Sequence, residues 1–283
     1  MLLLATPLPA KPLPATPLPA KPLPATPLPE TLPCATPLTP SRWPPAAAPA
    51  SGAEFPKAAA AAAWPTLLLV DRRDAAIGAE QRRKLQASLS CAELERLQRY
   101  RLPEDADRFL LGRGLMRRWL AQLLGCSAAD LPFTSLGHGK PMVAGAPPFN
   151  VSHSGDLILL AVHRQRAVGV DLERDRERFD WQAIARRYLG EAVVQRLRHD
   201  HPDEQAQRRA FLLEWCCLEA RLKADGRGLS GLDGRGDGTA SPWTGPCWPL
   251  QLPAGYQGAA ALLPAPGRAE ASTASGGIHI ASP

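Results

Sequence analysis

The sequence predicts an α+β fold, because helical and extended segments follow one another in mixed order, without the regular βαβ alternation of a parallel α/β sheet. The helical segments carry apolar residues at three- and four-residue spacing, and the extended segments are short apolar runs bounded by turn residues. At 283 residues, the chain is long enough for one large domain or two small ones and for a sizeable core.

The first part of the chain differs in composition from the rest. The decamer ATPLPAKPLP occurs at residues 5–14 and again at 15–24, and more than half of the 31 prolines lie in the first fifty residues. Proline removes backbone donors and favours extended polyproline II geometry. We therefore expect residues 1–63 to be a disordered tail, with a partner-docking role and a start codon assigned too far upstream both left open. Residues 266–283 are expected to form a second disordered tail.

The folded region is expected to begin with a strand and two helices. The apolar run Thr66–Val70 predicts a buried strand. Ser90 and Glu93 fit a capping box, so a helix is expected to start after Ser90. A longer helix is predicted over about 104–124, and Gly125 ends it. The apolar stripe of this longer helix consists of Phe109, Met116, Trp119, Leu120 and Leu123.

The second part of the chain continues with strands, helices and closing strands. Short strands are predicted at Leu131–Thr134 and 142–143. Leu157–His163 is predicted to pair with Val168–Glu173 as a hairpin across the turn 164–166. The remaining predicted elements are helices around Trp181–Tyr188, Glu191–Arg198 and Gln205–Asp225, a glycine-rich loop at 226–238, and strands at 248–252 and 256–263.

Two carboxylates point to a metal site. Asp171 and Glu173 are separated by one residue in a predicted strand, so their side chains lie on the same face. Such oxygen ligands suit a divalent cation such as Mg²⁺. The upstream cluster 152–155, which reads SHSG, offers side chains that can bind phosphate. Taken singly, these residues also fit a solvated strand face and a turn.

A further acid and a lysine lie on the last long predicted helix. Glu219 and Lys223 are four residues apart and share a face beside an apolar stripe. Considered alone, they fit a solvated ion pair on a helix surface. The stripe itself consists of Phe211, Trp215, Leu218 and Leu222.

Four segments, in this order and spacing, resemble the Sfp-type 4′-phosphopantetheinyl transferases. They are Gly139-Lys140-Pro141, Phe149-Asn150-x-Ser152-His153-Ser154, Gly169-Val170-Asp171-x-Glu173, and the stretch 215–229, which reads W-x-x-x-E-A-x-x-K-x-x-G-x-G-L. The resemblance covers residues 104–232 most closely and extends over 64–265.

The resemblance implies a pseudo-twofold pair of similar α+β subdomains, an N-terminal half at 64–150 and a C-terminal half at 151–265, with coenzyme A at their junction. Enzymes of this family move the 4′-phosphopantetheine arm of coenzyme A to a serine of an acyl or peptidyl carrier protein and release adenosine 3′,5′-bisphosphate. The carriers serve polyketide, nonribosomal peptide or fatty acid synthesis.

The resemblance also implies roles for individual residues. Asp171, Glu173 and Glu219 would hold Mg²⁺, with Glu219 as the base for the carrier serine. Lys223 would contact the diphosphate and stabilise the leaving phosphate. Further contacts to the phosphates or adenine of coenzyme A are expected from Arg113, Arg117, Lys140, Ser152 and His153.

One position departs from the family pattern. Many members have lysine directly before the helix glutamate, whereas this chain has Leu218. The substitution removes a cation near the site. It leaves open a weakened homologue that binds coenzyme A or a carrier without transfer.

The composition of the chain indicates which kind of partner and which cellular compartment to expect. The net charge of +6 suits acidic carrier helices, and no motif interleaves aromatic with basic residues as in nucleic-acid binding. The six cysteines lack metal-ligand spacing and are expected to be free thiols of a reducing cytosol. With no run of apolar residues long enough to span a membrane, a cytoplasmic protein is expected, and the resemblance implies a monomer.

Overall fold

A computed structural model of the chain describes residues 38–43, 55, 65–135, 139–177, 179–226, 228 and 246–263. Within these ranges the chain forms helices and mostly antiparallel sheets, which confirms the α+β class. None of the helices in these ranges has the length and apolar character that crossing a membrane requires. The five cysteines described are free thiols, as expected.

The strands are β1 (Ser41–Trp43), β2 (Thr66–Asp71), β3 (Phe133–Ser135), β4 (Pro141–Val143), β5 (Phe149–Ser154), β6 (Leu157–Val162), β7 (Val168–Arg174), β8 (Cys247–Pro249) and β9 (Tyr256–Leu262). The helices are α1 (Ala79–Gln86), α2 (Cys91–Gln98), α3 (Pro103–Leu124), α4 (Trp181–Tyr188), α5 (Glu191–Asp200) and α6 (Glu204–Asp225). Helix α1 has no counterpart among the predicted elements.

The chain repeats one order of elements. In the first half, strand β2 is followed by two short helices, the 22-residue helix α3 and, after the β3–β4 hairpin, the strands β5 and β6. In the second half, strand β7 is followed by two short helices, the 22-residue helix α6 and the strands β8 and β9. In both sheets the last strand lies between the first and the penultimate one, in the orders β2-β6-β5 and β7-β9-β8. The repeat agrees with the predicted pair of similar subdomains.

The predicted hairpin between β6 and β7 is wrong. Strand β6 pairs with β2 and β5, whereas β7 pairs with β9, so the turn between them carries the chain from one sheet to the other. The boundary between the halves therefore lies in this turn, at 163–167, and not at 150 as the sequence suggested. Residues 151–162 belong to the first sheet because β6 is its central partner.

Part of the predicted N-terminal tail belongs to the fold. Strand β1 runs parallel to β2, and Trp43 is buried in the core of the first half. Leu38 exchanges backbone hydrogen bonds with Pro249 and Gln251 of the second half. Phe55 stacks on Trp119 in the first core. Burial of these large apolar side chains offsets the entropy cost of ordering this part of the chain. Residues 1–37 and 264–283 lie outside the described ranges, as does most of the predicted loop 226–238.

The helix boundaries follow the predicted signals. Ser90 and Glu93 form both hydrogen bonds of a capping box at the start of α2. Gly125 takes a left-handed conformation at the end of α3, with φ at 67°, as is typical of a helix C-cap.

Close packing of α6 on β7 sets the geometry of the second half. A Cβ atom on Gly169 would lie 1.9 Å from the carbonyl oxygen of Ala220, so only glycine allows the helix to come this near. The contact brings the side chains at the C-terminal end of α6 beside the carboxylates of β7.

Candidate functional site

The junction between the two sheets is held by side chains of β5 that reach β7. The amide of Val170 donates to Asn150 Oδ1 at 2.9 Å, and Ser152 Oγ donates to Asp171 Oδ1 at 2.9 Å. Ser154 Oγ donates to Glu173 Oε2 at 2.8 Å. These three side chains lie at alternate positions, so they share the face of β5 that looks towards β7.

Lys223 joins this junction from α6. Its Nζ lies 2.5 Å from Asp171 Oδ1 and 3.2 Å from Ser152 Oγ. Burial by itself would lower the pKa of Lys223, but the charge and hydrogen bond of Asp171, together with the nearby Glu219, raise it above its usual value. The ammonium group therefore stays protonated and balances part of the acidic charge.

Glu219 lies one helical turn before Lys223 and close to the acids of β7. Its burial raises its pKa, and the negative charges of Asp171 and Glu173 raise it further, against the opposing charge of Lys223. Burial likewise raises the pKa of Glu173, and the charge of Asp171 adds to this effect. The three predicted acids therefore lie near enough to one another for the charge of each to act on the others.

The donor chemistry of this cluster fits a hard divalent cation. Asp171 Oδ2 is buried and has no hydrogen-bond partner among the described residues. The charge of Asp171 raises the pKa of both Glu173 and Glu219, and a cation with oxygen ligands would stabilise acids grouped in this way. Within the described ranges, however, no three His, Cys, Asp or Glu side chains stand in an arrangement that could itself hold a metal ion, and Asp171 is paired with Lys223.

The opposite face of β5 lines a cavity of about 280 Å³ in the first half. Phe149, Val151 and His153 alternate with the junction residues and form one wall. The facing wall comes from helices α2 and α3. The cavity carries the basic side chains Arg96, Arg108, Arg113 and His153, together with Tyr100 and Asp105.

His153 is an exposed residue on the rim of this cavity. Partial loss of water around its ring lowers its pKa, and the charges of Arg108 and Lys223 lower it further. The positive charges of Arg108 and Lys223 near the ring would favour an anion at this position. Burial also lowers the pKa of Arg113, which pairs with Glu93 and stacks over the ring of Phe133.

Arg117 makes its polar contacts inside the protein. Its side chain is buried, its guanidinium pairs with Glu93, and it donates to the carbonyl oxygens of Ala128, Ala129 and Leu131. With these donors used inside the protein, the predicted contact of Arg117 with coenzyme A has no geometric support, and its role is to hold the loop after α3.

Lys140 and Ser152 also make internal contacts. Lys140 Nζ donates to the carbonyl oxygens of Ala224, at the end of α6, and of Val168, at the start of β7. Burial lowers the pKa of Lys140 to about 8, although the charge of Asp225 opposes this. Ser152 is buried and bonded to Asp171 and Lys223. Both residues lie at the junction, where they connect protein groups.

Two residues of the site, Asn150 and Arg108, have no predicted role in the sequence, and the contact of Ser154 with β7 differs from the phosphate binding suggested for it. Asn150 and Ser154 form hydrogen bonds with residues of β7, and Arg108 donates a hydrogen bond from its Nε to the carbonyl oxygen of Gly155. The alternation of polar residues at 150, 152 and 154 was the available signal, since it marks one face of a strand. No local pattern identified Arg108.

Comparison with known proteins agrees with this division into halves. Residues 79–165 match the family described as "4′-phosphopantetheinyl transferase, N-terminal", and residues 167–243 match the "4′-phosphopantetheinyl transferase superfamily". The two matches meet at the turn between β6 and β7.

Among curated proteins, the chain is 38% identical over 158 residues to the 4′-phosphopantetheinyl transferase HetI of Nostoc sp., covering 54% of this chain and 66% of HetI. It is 32% identical over 160 residues to a 4′-phosphopantetheinyl transferase of Bacillus subtilis, covering 56% of this chain and 69% of that protein. Its identity to Sfp of Bacillus subtilis strain 168 is 29% over 159 residues, with the same two coverages of 56% and 69%.

The match spans slightly less than two thirds of HetI. The two family models nevertheless cover consecutive parts of the chain, and the repeated fold places their boundary at the turn between the sheets. The chain therefore belongs to the 4′-phosphopantetheinyl transferase family and is Sfp-like.

Proposed function

We propose that this protein transfers the 4′-phosphopantetheine arm of coenzyme A to a serine hydroxyl of an acyl or peptidyl carrier protein, with Mg²⁺ as cofactor. In this reaction the serine oxygen forms a bond to the phosphorus that carries the pantetheine arm. The bond from that phosphorus to the oxygen bridging to the adenosine part breaks, and adenosine 3′,5′-bisphosphate leaves.

The observation that carries the proposal is the meeting of Asp171, Glu173, Glu219 and Lys223 at the junction of the halves. Asp171, Glu173 and Glu219 would hold Mg²⁺, which would neutralise charge on the diphosphate when bound. Lys223, kept protonated by Asp171, would donate a hydrogen bond to the leaving phosphate oxygen.

Glu219 would take the proton of the carrier serine. A raised pKa brings a carboxylate closer to the operating pH of a general base, which is the condition for efficient proton transfer. The serine itself belongs to the carrier, so this chain supplies the base and the electrostatic environment.

The cavity beside β5 would receive the nucleotide part of coenzyme A. His153 and Arg113 remain the proposed contacts to its phosphates or adenine, because both line the cavity. Ser152 and Lys140 would support the site from inside the protein, and Arg117 is left out of it. The net charge of +6 suits an acidic carrier.

Incubation with coenzyme A, Mg²⁺ and a panel of unmodified carrier domains tests this function by intact-mass spectrometry. The wild type is expected to add one phosphopantetheine to a carrier serine, and Asp171→Asn to slow this by at least about a hundredfold, since loss of contacts outside the ligand shell alone costs 10–100-fold. Asp180→Asn is the matched control, because asparagine caps helix α4 as well as aspartate does. Full activity of Asp171→Asn would refute the proposed role of Asp171.

A second candidate function is binding of coenzyme A or a carrier without transfer. Leu218, buried where many relatives have lysine, supports it, since it leaves one cation fewer near Glu219. The same assay separates the two functions. Calorimetric binding of coenzyme A without any mass gain on the carriers would favour the second.

A further inference from the structure

We propose that Ser154 is a positioning residue that holds the Glu173 carboxylate in place for the metal ion, from the opposite half of the molecule. The inference rests on the proposed function, because it assigns to Ser154 a role at the proposed metal centre. Ser154 does not contact substrate or metal in this proposal; it acts through Glu173.

The hydroxyl of Ser154 acts both as a hydrogen-bond donor and as a hydrogen-bond acceptor. It donates to Glu173 Oε2 at 2.8 Å and accepts from the amide of Arg174 at 3.1 Å. The side chain is buried, so these bonds are sheltered from competing water. One hydroxyl on β5 therefore forms hydrogen bonds with both the carboxylate of Glu173 and the backbone amide of Arg174.

The position of Glu173 explains why its carboxylate needs a hydrogen bond that holds it in place. Glu173 is next to the last residue of β7, and it is only half-buried, whereas Asp171 is buried and already bonded to Ser152 and Lys223. A flexible carboxylate near a strand end loses side-chain entropy when it is held in one rotamer. The bond from Ser154 fixes Oε2 and leaves Oε1 for a further ligand.

A simple turn-forming role does not account for this geometry. The turn between β5 and β6 is made by Gly155, which has a positive φ of 57°. The next amide, of Asp156, bonds to the hydroxyl of Tyr256. The Ser154 hydroxyl points across the junction to β7 and takes no part in that turn.

The test measures metal binding directly. Mn²⁺ is titrated into the full chain with coenzyme A present, and unbound ion is counted by electron paramagnetic resonance. Ser154→Ala is expected to weaken Mn²⁺ binding about tenfold, as is typical when a partner of a metal ligand is removed. Ser88→Ala, which removes a buried hydroxyl bonded to the Lys84 carbonyl in the first half, should bind Mn²⁺ as the wild type does.

Two further variants separate positioning from folding. Ser154→Thr keeps the hydroxyl and is expected to restore binding to within about twofold of the wild type. In a Glu173→Gln background, Ser154→Ala should have little further effect, because both changes act on one ligand. Wild-type affinity in a folded Ser154→Ala variant overturns the inference. So does an additive effect in the Glu173→Gln background, or loss of folding in both Ser154 variants. If the wild type itself binds no Mn²⁺, the proposed metal centre fails, and this inference fails with it.

Discussion

Charge at the junction is unevenly distributed among individual residues. Asp171 and Lys223 form a close pair, while Glu173 and Glu219 are kept partly buried, and the charge of Lys223 offsets only part of their repulsion. Grouped buried acids cost stability, because each disfavours ionisation of the others. Acids with perturbed pKa values are often found at functional sites, which is in line with the metal-binding role proposed for them.

His153 gives a prediction at this scale. Its pKa is lowered in the free protein, and a bound phosphate would raise it by favouring the imidazolium form. Coenzyme A binding near pH 6.5 is therefore expected to take up a fraction of a proton, because that pH lies around the ordinary His pKa. Calorimetry in buffers of different ionisation enthalpy measures this uptake.

The uptake should disappear in His153→Gln and persist in His199→Gln, whose side chain is exposed on α5. Equal uptake in His153→Gln and the wild type would show that the phosphates of coenzyme A do not approach His153.

The elements position the site through their packing distance. Helix α6 carries Glu219 and Lys223, and it reaches β7 only because Gly169 has no side chain. The atoms nearest to Gly169 belong to the backbone of α6, and backbone atoms cannot move aside as a flexible side chain can.

Gly169→Ala is therefore expected to lower the free energy of unfolding by about 3 kcal/mol, a typical cost of overpacking in a core. Urea unfolding measures it. Gly112→Ala is the matched control, since a Cβ atom there meets only ordinary contacts, 3.4 Å from Val151, and alanine favours the helix. If both variants were as stable as the wild type, α6 would not be held against β7 as closely as described.

Local signals in the sequence predicted most of the elements. The capping box of Ser90 and the helix end at Gly125 each depend on residues a few positions apart, and the structure shows both. Of the stripe predicted on α6, Phe211, Leu218 and Leu222 are buried, whereas Trp215 is only partly buried. The pairing of β6 was mispredicted, because a short turn favours a hairpin whereas the sheet partner of a strand is decided by distant residues. Strand β1 was missed because proline-rich composition masked the apolar Trp43.

The candidate site could be predicted only in part. The acids Asp171 and Glu173 follow from strand alternation, but Glu219 and Lys223 join them through packing between elements, which the resemblance implied and local patterns did not. Arg117 was misassigned, since helix spacing gives its face but not the buried carbonyls that it meets. The contacts of Ser154 and Asn150 with β7 were not predicted, because they depend on how β5 and β7 pack together.

The whole molecule is two similar halves joined at β5 and β7, with polar side chains in place of backbone pairing. The segment 38–43 adds a second connection, since 41–43 pair with β2 in one half and Leu38 exchanges backbone hydrogen bonds with Pro249 and Gln251 in the other. The cavity of the first half and the acids of the second half lie on the two faces of one strand, β5. Under the proposed function, the first half would hold the nucleotide part of coenzyme A and the second half would supply the reactive groups.

The proposed metal centre requires Glu219 to act together with the two acids of β7. It is tested by measuring Mg²⁺ binding calorimetrically, with coenzyme A present, in the wild type, in Glu219→Gln and in Glu214→Gln. Glu214 lies on the same helix and pairs with Arg196, so it controls for loss of a helix carboxylate. We expect Glu219→Gln to weaken Mg²⁺ binding by at least about tenfold and Glu214→Gln to leave Mg²⁺ binding unchanged. Wild-type Mg²⁺ affinity in Glu219→Gln would show that Glu219 is not part of a metal centre.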